Sequence, residues 1–279
     1  MILDGCFMLK ILYLIGTDYT SYSNYYPILN QYGRVNFMIK ADMLMLENLL
    51  PILILISLKC FLEQKDEPNV EELKDLTKRT LFLISNFYSF IENFDGIIKD
   101  LETTACLHVL DLCRKSLLPT HSEHGNASPQ FSNQGKGRSN RVSHNVAHLV
   151  STFHDAGIGF MRSKSKSLRN ITFDCGILKI PNFIVSDYTE TMVLNLLAFE
   201  SCHLFVGHEI TSFVVFMGCI IDDARDIKLL SSKVIIDNFI GPDKEVADLF
   251  NTMSKDLVMG EGPLQGVHRS HRLLQQALA

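Results

Sequence analysis

Hydrophobic positions recur at steps of three and four along most of the chain, the period of helices packed on one side. The pattern is clearest after Pro68-Asn69. There Val70, Leu73, Leu76, Thr80, Ile84, Phe87 and Ile91 mark one face of a long helix. Before it, Pro51 begins or kinks a strongly apolar helix, and Asp42 is placed to cap a shorter one. Another helix is predicted over Leu101 to Leu118, and one from about His144 to Gly157. Asp187 with Glu190 resembles a capping box opening a helix through Leu196, Leu197 and Phe199. Further helices reach about Met259, broken at Gly241-Pro242, with Asp243 capping the last. Strand character is confined to one place. Ile171-Thr-Phe173 and Ile177-Leu-Lys-Ile180 flank Asp174-Cys-Gly176, which reads as a hairpin turn, and Pro181 makes the second strand an edge or ends it. The predicted fold is mainly α, a helical domain with one small β-hairpin element around residues 168–185.

Between Pro119 and Asn145, 14 of 27 residues are Pro, Gly, Ser or Asn, and no period survives. This reads as a flexible connection. The organisation that follows is an N-terminal helical part over 1–118, a Ser/Asn/Gly-rich loop over 119–143, a C-terminal helical part with the hairpin over 144–259, and an atypical tail over 260–279.

The most membrane-like stretch, Leu44 to Leu62, holds Glu47, Asn48, Pro51 and Lys59, and its longest charge-free run, Asn48 to Leu58, has 11 residues. A bilayer span needs about 20 apolar residues, so a buried helix is expected instead. The N-terminus lacks a basic region ahead of its apolar run and does not read as a signal peptide. The seven cysteines are odd in number, loosely spaced and free of C-x-x-C, which fits thiols in a reducing compartment and a cytoplasmic location. A net charge of -5 argues against a nucleic-acid partner. The basic residues Lys136, Arg138 and Arg141 of the connection have no neighbouring aromatics that would stack on bases.

Several ordered strings in the chain are specific. They are Leu3-Asp-Gly-Cys-Phe7, His154-Asp-Ala-Gly-Ile-Gly-Phe160, Leu168-Arg-Asn-Ile-Thr-Phe-Asp-Cys-Gly-Ile-Leu-Lys-Ile-Pro181, Thr189-Glu-Thr-Met-Val-Leu-Asn-Leu-Leu-Ala-Phe-Glu-Ser-Cys202, Ile210-Thr-Ser-Phe-Val-Val-Phe-Met217 and Asp243-Lys-Glu-Val-Ala-Asp-Leu-Phe250. In them the chain resembles the plant-specific domain of unknown function 247 family, also called uncharacterised protein family 0481, from about Met1 to Met259. The resemblance implies no catalytic residues. It implies a further N-terminal region and a C-terminal membrane helix, where this chain instead ends in Gly260 to Ala279, so it reads as truncated at both ends. Some grass members are implicated in pollen–stigma self-incompatibility. The resemblance therefore implies a non-enzymatic interaction, recognition or signalling module with an unknown protein partner.

His144 and His148 would share a helical face, with His154 following, but a zincin-like site needs Glu where Asn145 stands. His121 with His124, and Cys202-His203 with His208-Glu209, are loose clusters. There is no G-x-S-x-G and no G-x-x-x-x-G-K-[ST], and Gly157-Ile-Gly159 lacks the third glycine of a dinucleotide loop. Arg162-Ser-Lys-Ser-Lys-Ser-Leu168 reads as an exposed basic connector whose charge phosphorylation would invert. No catalytic, cofactor-binding or metal residue is assigned. The alternatives are a truncated product without independent function, or a helical metal-dependent enzyme using Asp222, Asp223 and Asp226, which match the D-D-x-x-D string of prenyl-diphosphate enzymes. On a continuous helix, Phe213, Met217, Ile220, Ile221, Ala224 and Ile227 make the apolar stripe and the three aspartates fall on the opposite, solvent side. Replacing Asp222 and Asp226 by alanine is then expected to cost within about 0.5 kcal/mol.

Overall fold

The computed structural model describes residues 2–15, 38, 41–67, 69–85, 106–119, 150–203, 206–255 and 257. It is mainly α, with nine α-helices and two small sheets among the described residues.

Three helices form the N-terminal part: α1 (Ile2–Ile15), α2 (Ile52–Leu62) and α3 (Val70–Ser85). α1 packs against both of the others. In α2 the buried positions Ile52, Leu55, Ile56, Lys59 and Cys60 follow the i, i+3, i+4 rule, while Leu53 and Phe61 point outward. Lys59 and Arg79 of α3 approach the Tyr13 ring of α1, with 5.3 and 4.4 Å to its centroid, and tie the three helices together. In α3, Leu76, Thr80 and Ile84 are buried as expected, but Val70 and Leu73 are exposed; Phe87 and Ile91 lie outside the described residues.

The Leu44 to Leu62 stretch is not one helix. A 3-10 turn over Leu46–Asn48 and extended residues precede Pro51, the N-cap of α2. Asp42 does not cap the turn: its N-cap is Met45, and Asp42 contributes its backbone carbonyl, which accepts from Met45 N at 3.1 Å and Asn48 Nδ2 at 3.0 Å. No helix among the described residues is long and apolar enough to cross a membrane.

The helix predicted from Leu101 begins only at Val109, as α4 (Val109–Leu117). Two competing bonds hold the residues before it extended. Ile52 N donates to Leu107 O at 2.9 Å, and Pro51 bridges His108. Residues 101–105 lie outside the described set, as does the loop after Pro119 and the first part of the helix expected from His144. That helix is described as α5 (Val150–Asp155).

The hairpin forms one residue later than read, with Asp174 in the strand opposite Ile177 rather than in the turn. β2 (Thr172–Asp174) runs antiparallel to β3 (Ile177–Ile180), and Cys175 and Gly176 between them have φ of 49° and 75°, the positive pair of a type I′ turn. β1 (Gly159–Arg162) adds itself parallel to the other side of β3. β3 is therefore central, and Pro181 ends it rather than marking it as an edge. A second sheet was not foreseen. β4 (Phe183–Val185) pairs in parallel with β5 (Ile236–Asn238), with Phe183 opposite Ile236.

Between the strands of that second sheet run α6 (Thr189–Cys202), α7 (Glu209–Ile220) and α8 (Ala224–Ser232); α9 (Asp243–Lys255) follows β5 and packs on α7 and α8. Phe183, Phe213 and Phe250 meet at the centre, with ring centroids 5.2 and 6.0 Å from Phe183. Asp187 does not open α6. The residue before the helix is Tyr188, which makes no side-chain cap, and the local bond is Ser186 N donating to Thr189 Oγ1 at 2.8 Å.

α8 ends with an anomaly. Ile235 N reaches back to Leu230 O at 3.0 Å, the long bond of a Schellman ending, and the left-handed residue it requires is Val234, φ 55°. A β-branched side chain is disfavoured there, and Val234 is half exposed, so little packing compensates. Val234→Gly is expected to stabilise the chain by about 1 kcal/mol, read as a rise in the urea midpoint with an unchanged slope.

Candidate functional site

A buried pair of opposite charges, Arg114 and Glu200, sits where α4, α6 and α7 meet. α6 carries an unbroken apolar face, Met192, Val193, Leu196, Leu197 and Phe199, and Glu200 continues it at 0% exposure. α7 starts at Glu209, and its preceding residue His208 gives no side-chain cap. Glu200 performs that role from the neighbouring helix. Its Oε1 accepts from Ile210 N at 3.1 Å, and its Oε2 from Thr211 N at 2.9 Å and Thr211 Oγ1 at 2.7 Å.

The counter-charge is Arg114 of α4, itself buried. Its Nε donates to Glu200 Oε1 at 2.8 Å, and its Nη2 to Gly207 O at 2.7 Å and to Glu209. Glu209 in turn pairs with Arg169, from the segment between β1 and β2, at 2.8 Å. Glu200 thus receives four donors, which fills a carboxylate's acceptor sites. A group so occupied holds three helices in register and has no lone pair left for a substrate proton.

Beside it, His108 precedes α4. Its Nδ1 accepts from Asp111 N at 3.1 Å, so the imidazole is the cap. Its ring packs edge-on to Phe199, centroids 4.9 Å apart, with His203 at 6.4 Å. Burial holds the His108 pKa below the ordinary histidine value, against an opposing pull from Asp111. The unfolded chain therefore takes up this proton at a higher pH than the folded one. The stabilisation is complete above the unfolded pKa near 6.5 and is lost as the pH falls toward the folded value. His108→Asn keeps a capping acceptor without the titration. It is expected to flatten the dependence of the urea midpoint on pH between about 5 and 8 relative to the wild type.

The aspartate string is arranged otherwise than a continuous helix would place it. α7 stops at Ile220, and Asp223 caps α8, its carboxylate accepting from Arg225 N at 2.7 Å and Asp226 N at 3.3 Å. Asp222 and Asp223 are exposed, but Asp226 is 0% exposed. Its Oδ2 accepts from Asp222 N at 3.0 Å and Asp223 N at 3.3 Å, and its Oδ1 from Ser151 N at 2.8 Å, at the start of α5. The three carboxylates therefore do not share a solvent face. Asp226 is a buried capping box that also fastens α5, which overturns the expectation that its loss is nearly neutral.

The remaining candidates are dispersed. His121, His124, His144 and His148 lie outside the described residues. His154 is exposed beside Asp155. Cys202 is exposed, His203 Nδ1 lies 3.0 Å from Phe199 O, and Glu209 is engaged by two arginines. Among the described residues no group of three or more His, Cys, Asp or Glu is placed to hold a metal ion. Gly157 and Gly159 join a helix to the strand after it, the reverse order to a dinucleotide loop. Burial pushes the Cys106 thiol up to about 11 and the Cys113 thiol to about 12, away from nucleophilic thiolate character. The residues that matter here, Arg114, Glu200 and His108, were not singled out from the sequence. A signal existed: Glu200 follows Leu196 and Leu197 on an apolar face, and Arg114 stands between Leu110, Cys113 and Leu117.

Comparison with known proteins gives a family match: the model of DUF247, plant protein of unknown function, covers residues 1–273. The chain is 30% identical over 269 residues to UPF0481 protein At3g47200 of Arabidopsis thaliana, covering 92% of this chain and 54% of that protein. It is 29% identical over 110 residues to putative UPF0481 protein At3g02645 of the same plant, covering 39% of this chain and 21% of that protein. The chain thus spans about half the length of the first of these relatives. No solved structure matches it.

Proposed function

The chain belongs to the DUF247 family of plant proteins of unknown function, and from that premise we propose that it is an interaction module, recognising a protein partner without catalysing a reaction of its own. The observation that carries this reading is the outer face of α1 and α2. Leu3 is 84% exposed, Leu53 73% and Phe61 79%, on two helices that pack against each other. Exposed apolar groups on adjacent elements are a feature of surfaces that dock other proteins. The destination of the buried charges supports the same reading, since Glu200 and Asp226 are consumed in holding helices together. The partner is a protein rather than a nucleic acid, in keeping with the net charge of -5. We place the chain in the cytoplasm, where its seven free cysteines remain reduced.

The test is co-precipitation from plant tissue with the wild-type chain and with Leu53→Glu/Phe61→Glu. The expected result is loss of specific partners by the variant at an unchanged thermal melt. Equal recovery of partners by both chains would count against this surface. Turnover of a small-molecule substrate by the purified chain would count against the non-enzymatic reading.

A further inference from the structure

The segment joining β1 to β2 is chemically unlike the rest of the chain. From Ala156 to Phe173 there is no acidic residue, and Arg162, Lys164, Lys166 and Arg169 fall within it, alternating with Ser163, Ser165 and Ser167. Two backbone bonds pin its ends. Ser163 N donates to Ile180 O at 2.7 Å, and Leu168 N donates to Leu117 O at 3.0 Å. Between the pins, the local bonds are side-chain turns: Ser165 N donates to Ser163 Oγ at 3.2 Å and Ser167 N to Ser165 Oγ at 3.3 Å. Such bonds are weak and readily exchanged for water.

The three serines are not equivalent. Ser163 is buried, and its hydroxyl also accepts from Asn170 Nδ2 at 3.0 Å. Ser167 is buried at the second pin. Ser165 lies midway between the pins and is only half buried. Arg162, exposed at the end of β1, stands three residues before it, and exposed Lys164 directly precedes it.

We propose that Ser165 is a phosphorylation site, modified by a basophilic serine kinase that reads Arg162 three residues before the acceptor. In the transfer, Ser165 Oγ forms a bond to the γ-phosphorus of magnesium-bound ATP. The bond from that phosphorus to the ADP oxygen breaks, and the hydroxyl proton leaves to the kinase's base. The phosphate adds about -1.5 to -2 to a segment carrying four cations and no anion, and supplies acceptor oxygens to the flanking arginine and lysine side chains. Arg169 is already paired with Glu209, so the added charge acts on the part of the segment around Arg162 and Lys164. This inference does not depend on the interaction reading above.

The experiment is incubation of the folded full chain with such a kinase and magnesium-ATP, followed by intact-mass measurement and fragment-ion mapping. A single phosphoryl group on Ser165 is expected, absent from Ser165→Ala. Arg162→Ala is expected to lower the kinase's kcat/KM for the chain at least tenfold. Far-ultraviolet circular dichroism and the thermal melt of each variant establish that it is folded, and Ser165→Thr, which retains a hydroxyl, should still be modified. Phosphate on Ser163 or Ser167, incorporation unchanged in Ser165→Ala or Arg162→Ala, or no incorporation into the wild-type chain would each overturn the proposal.

Discussion

Asp226→Ala is expected to destabilise the chain by about 3–5 kcal/mol, the largest loss from any single aspartate in the Asp222-Asp-Ala-Arg-Asp226 string. The side chain is fully buried and accepts from Ser151, Asp222 and Asp223 N–H groups. Removing it strands those donors, each at about 1–3 kcal/mol where water cannot reach. Ser151 N is buried, whereas the other two are partly accessible and recover part of the loss through solvent. Asp226→Asn keeps one acceptor oxygen but turns an NH2 group toward an N–H donor, so about half the penalty should remain. Asp222→Ala touches only an exposed side chain and should stay within about 0.5 kcal/mol. Urea unfolding of the three variants checks the ranking. An Asp226→Ala midpoint as mild as that of Asp222→Ala would show that the buried bonds contribute nothing.

Arg114→Met should cost about 3–5 kcal/mol, because it leaves the Glu200 carboxylate buried without its counter-charge. The companion change separates the pair from its parts. With Glu200→Gln also present, no net charge is buried, and the double variant should be more stable than Arg114→Met alone. Glu209 lies at the rim of the same network, and its replacement by Gln should cost within about 1 kcal/mol. A double-mutant cycle by urea unfolding reads all of these. Additive losses for Arg114 and Glu200 would contradict direct coupling between them.

The elements legible in the sequence were those whose pattern is local. Asp174-Cys175-Gly176 demanded a tight turn, which formed at Cys175 and Gly176, and Pro51 started α2 where proline must. The failures arose where a distant partner decided the outcome. Residues 106–108 stay extended because Leu107 O is taken by Ile52 N, a bond no local period reports. β4 and β5 are three residues each, too short for alternation, and are strands only because each finds the other. The aspartate string misled for a related reason. The apolar period continues without a break through Ile221, where the backbone leaves the helix and Asp223 begins a new one. An aspartate followed three residues later by another carboxylate is itself a capping signal, and Asp223 and Asp226 form that box.

The parallel pairing of Phe183–Val185 with Ile236–Asn238 bears on the order in which the chain folds. Three whole helices lie between the two strands, so the pair cannot nucleate by a local turn and must await their collapse. Until then Phe183 and Val185 are uncovered on an unpaired strand directly after the hairpin sheet. During refolding, that exposed edge is open to pairing with another chain, and higher protein concentration should divert molecules there at the expense of native yield.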